Sequence, residues 1–151
     1  MEFVVGIGMY DQGTAHIADL IQPYLEALSK RLSADYGGEM QHLWVDLELS
    51  PGTADFRPPF TFRFQKRVSG RGRLTGLKFP DFHNVGQYSV RPDFFSLATI
   101  PEKEVPCHLM RLIYDSTDVL ERKRAKLDGF DATSFRADFR KAILEYGCAW
   151  N

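Results

Sequence analysis

The chain predicts an α+β domain. The expected sheet is antiparallel, of four to five strands, with one N-terminal helix and two C-terminal helices packed on it. Three observations point there. Residues 41–49 and 60–67 alternate apolar and polar side chains, the period of a strand. Residues 16–32 and 135–146 repeat apolar side chains at helical spacing instead. The order of these patterns is one strand, one helix, a run of strands and then helices, which separates the two element types along the chain. At 151 residues the expectation is a single domain over 1–151. A chain of that size buries roughly 70% of the surface its unfolded form exposes.

Phe3 to Met9 is an apolar run containing Gly6 and Gly8, which fits a central strand covered on both faces. Asp11, Gly13 and Thr14 then mark a turn and an N-cap. Ile17, Leu20, Ile21, Tyr24, Leu25, Leu28 and Leu32 form one apolar stripe of a helix. Pro23 falls inside it and has no N–H to donate, so a kink or break is expected there. Gly37-Gly38 ends the segment. In the next strand Leu43, Val45, Leu47 and Leu49 share one face, and His42, Trp44, Asp46 and Glu48 share the other. Phe60, Phe62 and Phe64 then oppose Thr61, Arg63, Gln65 and Arg67 in the same way. Ser69 to Gly72 signals a turn. Leu74 to Phe79 reads as a short strand and Val85 to Val90 as a weaker one. Towards the C-terminus, Pro106 suits a first helical turn, with an interruption expected near Asp115-Ser116-Thr117. Thr133 or Ser134 is the expected cap of the last helix, and Gly147 its stop.

Charge is segregated locally. Residues 32–56 hold five acidic side chains and no Lys or Arg, whereas residues 57–80 hold seven basic ones and no acid. The formal net charge is nonetheless -1. With a pI near 6.4 the domain lacks the basic excess of a general nucleic-acid binder. No apolar run approaches the roughly 20 residues that span a bilayer, so no membrane partner is expected. The N-terminus lacks the basic and cleavage features of a signal peptide. Cys107 and Cys148 are too few for a disulfide framework; reduced, core-packed thiols in the cytoplasm are the expectation.

The chemical motifs are partial. Gly6-Ile7-Gly8-Met9-Tyr10-Asp11 follows a strand, but Asp11 stands where a dinucleotide fingerprint needs its third glycine. Packing of the helix on the first strand accounts for these glycines. Cys107-His108 has no second ligand pair at zinc spacing, and neighbouring helical residues point about 100° apart, so the two do not form a nucleophile–base pair. His42, or Asp81 with His83, offers single metal ligands only. No cofactor or metal is expected. Asp46 and Glu48 lie two apart on one strand face, the arrangement of paired catalytic acids or of a charged face neutralised by the next strand. Trp44 between them and His42 is either covered by the chain itself or an anchor for a partner.

Three stretches resemble the immunity proteins of bacterial polymorphic toxin systems: residues 57–64 (RPPFTFRF), 90–95 (VRPDFF) and 112–118 (LIYDSTD) with its basic continuation. Those families share no catalytic residues. The resemblance implies a binding protein that occludes the active site of a cognate toxin domain. Trp44, Asp46, Glu48, Asp55, Arg57, Arg63, Arg71 and Arg73 are the expected contact residues. Two other readings stay open. One is a small hydrolase using Asp46, Glu48 and His42. The other is a nucleic-acid-binding domain using the basic segment 63–78, disfavoured because Asp46 and Glu48 would share the arginine face and repel phosphate.

Overall fold

A computed structural model describes residues 1–38, 40–50, 60–68, 82–122 and 129–149. Its elements are β1 (Glu2–Met9), α1 (Ala15–Leu32), β2 (His42–Glu48), β3 (Phe60–Val68), β4 (Phe82–Val90), α2 (Phe94–Ala98), a 3-10 turn (Glu102–Glu104), α3 (Val105–Ser116), α4 (Asp118–Arg122) and α5 (Ala132–Glu145). The described strands lie in the order β1-β2-β4-β3.

The antiparallel sheet is overturned. β1 pairs with β2 in parallel and β2 pairs with β4 in parallel, so the body of the sheet is three parallel strands. Only β3 runs antiparallel, against β4. The physical reason is the crossover. The 18-residue helix α1 carries the chain from the end of β1 back to the start of its neighbour β2, and such a connection makes the pair parallel. β4 then lies between β2 and β3, so these two consecutive strands do not pair with each other as a hairpin.

β1 is also not central. It lies at the edge of the sheet, with Val5 buried and Val4 40% exposed. Its outer backbone groups are served by α1. Ser33 Oγ accepts from the Phe3 N–H at 3.0 Å, and Ser29 Oγ accepts from the Val5 N–H at 3.0 Å. Both hydroxyls also approach the carbonyls of the same strand residues, at 3.1 and 3.3 Å. The geometry follows from element dimensions. Four helical residues advance about 6 Å and two strand residues about 6.6 Å, so serines at i and i+4 meet alternate strand residues.

Helix α1 runs unbroken across Pro23. Its buried stripe, Ile21, Leu25, Leu28 and Leu32, meets Phe3, Val5, Leu43, Val45 and Leu47 from the sheet in one continuous core. Phe135 and Phe139 of α5 close that core, with ring centroids 5.3 and 6.0 Å from Phe3. The break between α3 and α4 falls at Thr117, within the expected interval. There the buried Thr117 Oγ1 accepts from Arg136 Nε at 3.0 Å, and Arg136 also bonds Glu121 at 3.2 Å and lies 4.5 Å over the Tyr114 ring. The cap of α5 is Asp131, which accepts from the Ser134 N–H, rather than Thr133 or Ser134. The strand expected over Leu74 to Phe79 lies outside the described residues.

Two turns cross at the base of the core. Gly37 has φ +78, and a Cβ there would stand 2.7 Å from the Gly129 carbonyl oxygen. Gly129 has φ +77 and would bring its own Cβ to 3.1 Å from Gly38 Cα. The Asp131 N–H donates to the Tyr36 carbonyl at 2.8 Å, which ties the two turns together.

The reduced thiols are corrected as well. Cys107 and Cys148 form a disulfide with a Cα–Cα distance of 5.4 Å. It fastens the first turn of α3 to the segment after α5. Arg111 adds a bond to the Ala149 carbonyl at 2.6 Å.

Candidate functional site

The sheet has two unlike faces. One carries Phe3, Val5, Leu43, Val45 and Leu47 into the core with the helices. Along β2 the other face is half-buried at His42, Trp44, Asp46 and Glu48, strictly alternating with the core positions. None of these four belongs to the core.

Register lines up the rows of this second face. Val4, Trp44, Gln87 and Arg63 form one row across β1, β2, β4 and β3. Gly6, Asp46, Ser89 and Thr61 form the next. Arg63 therefore occupies the row of Trp44, two strands away rather than on the adjacent strand. The positions of Phe60, Phe62 and Phe64 fall in the core rows with Leu47, Val45 and Leu43. Asp55, Arg57, Arg71 and Arg73 lie outside the described residues, as does 69–78, most of the basic segment considered for nucleic acid.

The described side chains differ in what holds them. Glu48 sits 3.4 Å from Arg91, both largely buried, so its charge is answered within the chain. His42 Nδ1 stands 3.7 Å from Glu2 Oε1, and the His42 ring lies 5.7 Å from the Trp44 ring at a tilt of 49°. Asp46 packs against the backbone of β1: a Cβ on Gly8 would stand 3.0 Å from Asp46 Cβ. A Cβ on Gly6 would meet nothing within 4 Å. So Gly8 makes room for Asp46 rather than for a helix packed on β1. Asp46 forms no ion pair with a described residue.

This geometry does not assemble the hydrolase set. His42 and Asp46 are four residues apart on one strand, roughly 13 Å at 3.3 Å per residue, too far to act on one atom. Glu48 is occupied by Arg91. Among the described residues no three His, Cys, Asp or Glu gather where a metal ion would sit. Among them, too, no helix is long and apolar enough to cross a membrane.

One concavity was not anticipated. It is a cavity of about 350 Å³ at the end of the sheet where the parallel strands finish, bounded by the first turns of α1, by α2 and by the start of α3. Ile17, Leu20, Phe94, Leu97, Ile100 and Val105 supply apolar walls, and His16 and Glu102 supply polar ones. The legible signal was position: residues between a parallel strand's C-terminal end and the following helix often build a site. Read as an antiparallel strand followed by a capped helix, the segment gave no cause to look there.

No protein-family model, no curated protein and no solved structure matches the chain.

Proposed function

We propose that this protein is a protein-binding module that works through the polar, Trp44-bearing face of its sheet, as an immunity-type inhibitor occluding a cognate toxin domain. One observation carries the reading. Trp44 stands on β2, a strand with neighbours on both sides, in a row with Val4 and flanked by His42 and Asp46. A tryptophan on a rigid strand among polar side chains is the composition of an interface anchor. Asp46 contributes an acid that no described cation neutralises, which suits a basic cleft in the partner. Glu48 contributes less, because Arg91 already answers it.

The test is co-expression and pull-down with the product of the adjacent upstream gene. The expected result is a complex that protects cells. Trp44→Ala should weaken it by about 30-fold or more, the size of an interface hot spot. Asp46→Lys should act mainly on the association rate. Absence of both complex and protection, or full affinity in Trp44→Ala, defeats the proposal. The disulfide bears against the cytoplasmic setting expected from the sequence, because cytosolic thiols are kept reduced: alkylation of whole cells should leave Cys107 and Cys148 joined and unlabelled, and labelling of both would place the chain in a reducing compartment.

A further inference from the structure

We propose that Cys107 is a thiol-exchange site. A small thiol of the glutathione class opens the Cys107–Cys148 disulfide by bonding to Cys107, and Cys148 is the resolving thiol that closes it again. The two joined residues have unlike surroundings. Cys107 is half-buried on the first turn of α3, whereas Cys148 is 2% exposed and belongs to the core. Exchange runs through a sulfur that an incoming thiolate can reach, and of the two residues only Cys107 offers access.

The opening step balances with the small thiol alone. The incoming thiolate sulfur bonds to Cys107 Sγ, the Sγ–Sγ bond breaks, and its electron pair leaves on Cys148 Sγ, which takes a proton from water. One disulfide is exchanged for a mixed disulfide. Closure is the reverse: Cys148 gives up its proton, attacks Cys107 Sγ and expels the small thiol.

Closure is favoured because Cys148 does not depend on the bridge for its place. Its N–H donates to the Ile143 carbonyl at 3.3 Å, at the end of α5. Arg111, one turn along α3 from Cys107, donates to the Ala149 carbonyl at 2.6 Å. These two bonds keep the freed thiol beside the helix that carries Cys107. A thiol held there reacts intramolecularly, with the advantage of position over a small thiol arriving from solution.

The site lies apart from the Trp44 face, and its test is independent of the toxin reading. Oxidised native protein is incubated with reduced glutathione without denaturant, quenched with acid, alkylated and mapped by peptide mass spectrometry. Glutathione should be found on Cys107 in about ten-fold excess over Cys148, the consequence of unequal access. Opening should run at the same rate in urea below the unfolding transition. With oxidised glutathione, Cys148→Ser lacks the resolving thiol and should accumulate the Cys107 adduct, whereas Cys107→Ser keeps only the buried thiol and should take up little. The arm on native protein decides the matter whether or not the variants fold. The proposal is overturned if the bridge opens only as the protein unfolds, if no adduct forms on Cys107, or if the adduct is shared evenly between the two cysteines.

Discussion

At the scale of single residues, Tyr36 joins two halves of the chain. Its hydroxyl donates to Asp138 Oδ2 at 2.8 Å, and its ring packs edge-on to Phe135 at 5.3 Å. Burial first, and then the hydrogen bond to Asp138 and the nearby carboxylate charge, push the phenol well above its ordinary value near 10. The sign follows. The unfolded chain releases the proton near pH 10 and the folded one resists, so Tyr36 stabilises the fold fully below pH 10 and loses that contribution as pH rises beyond it. Urea unfolding between pH 8 and 11.5 should show this decline in the native protein. Tyr36→Phe should be about 1 kcal/mol less stable at pH 8, having lost the hydrogen bond, with a flatter alkaline limb. Equal slopes in the two proteins would refute the assignment. The residue-level patterns of β2 were fully legible: alternation placed His42, Trp44, Asp46 and Glu48 on one face because side-chain period 2 is a property of any strand. Neutralisation of Glu48 was not, because Arg91 lies 43 residues away.

At the scale of elements, the contact of α1 with β1 shows how an edge strand is kept from recruiting another. Unpaired N–H and C=O groups on an edge template the addition of a foreign strand. Ser29 and Ser33 occupy those groups at Val5 and Phe3. Ser29→Ala and Ser33→Ala should each cost about 1 kcal/mol, and the double variant should also dimerise or aggregate at concentrations where the native chain does not. Chemical denaturation and light scattering check the two effects separately; an unchanged double variant would show that the hydroxyls are incidental. Helices and most strands were readable from period alone. Strand direction was not, because alternation reports which face of a strand is covered and says nothing about which way its neighbour runs. The informative cue was the strand, 18-residue helix, strand succession at residues 2–48, a crossover unit that implies a parallel pair.

At the scale of the molecule, the disulfide and the glycine crossing hold the same C-terminal layer from opposite ends. Cys107 and Cys148 are 41 residues apart, and closing a loop of that length removes about 4 kcal/mol of chain entropy from the unfolded state. Reduction with dithiothreitol should lower stability by a comparable amount, measured as a fall in the urea midpoint, with α5 and the residues after it showing the largest gain in amide exchange. A midpoint indifferent to reductant would contradict this. Two cysteines in a sequence say only that a disulfide framework is absent; their meeting depends on α5 folding back beside α3, a tertiary fact. The turns at Gly37 and Gly129 carry a consequence for how this chain can change over generations. A side chain at Gly37 would enter the space of the Gly129 carbonyl, and one at Gly129 would press on Gly38, so either alone parts the turns and strains the Tyr36–Asp131 hydrogen bond. Each position also holds a positive φ that side chains rarely adopt, so a replacement at one still leaves the other needing glycine. Relatives of this protein are therefore expected to keep both glycines, and lineages that have lost either should be rare and short-lived.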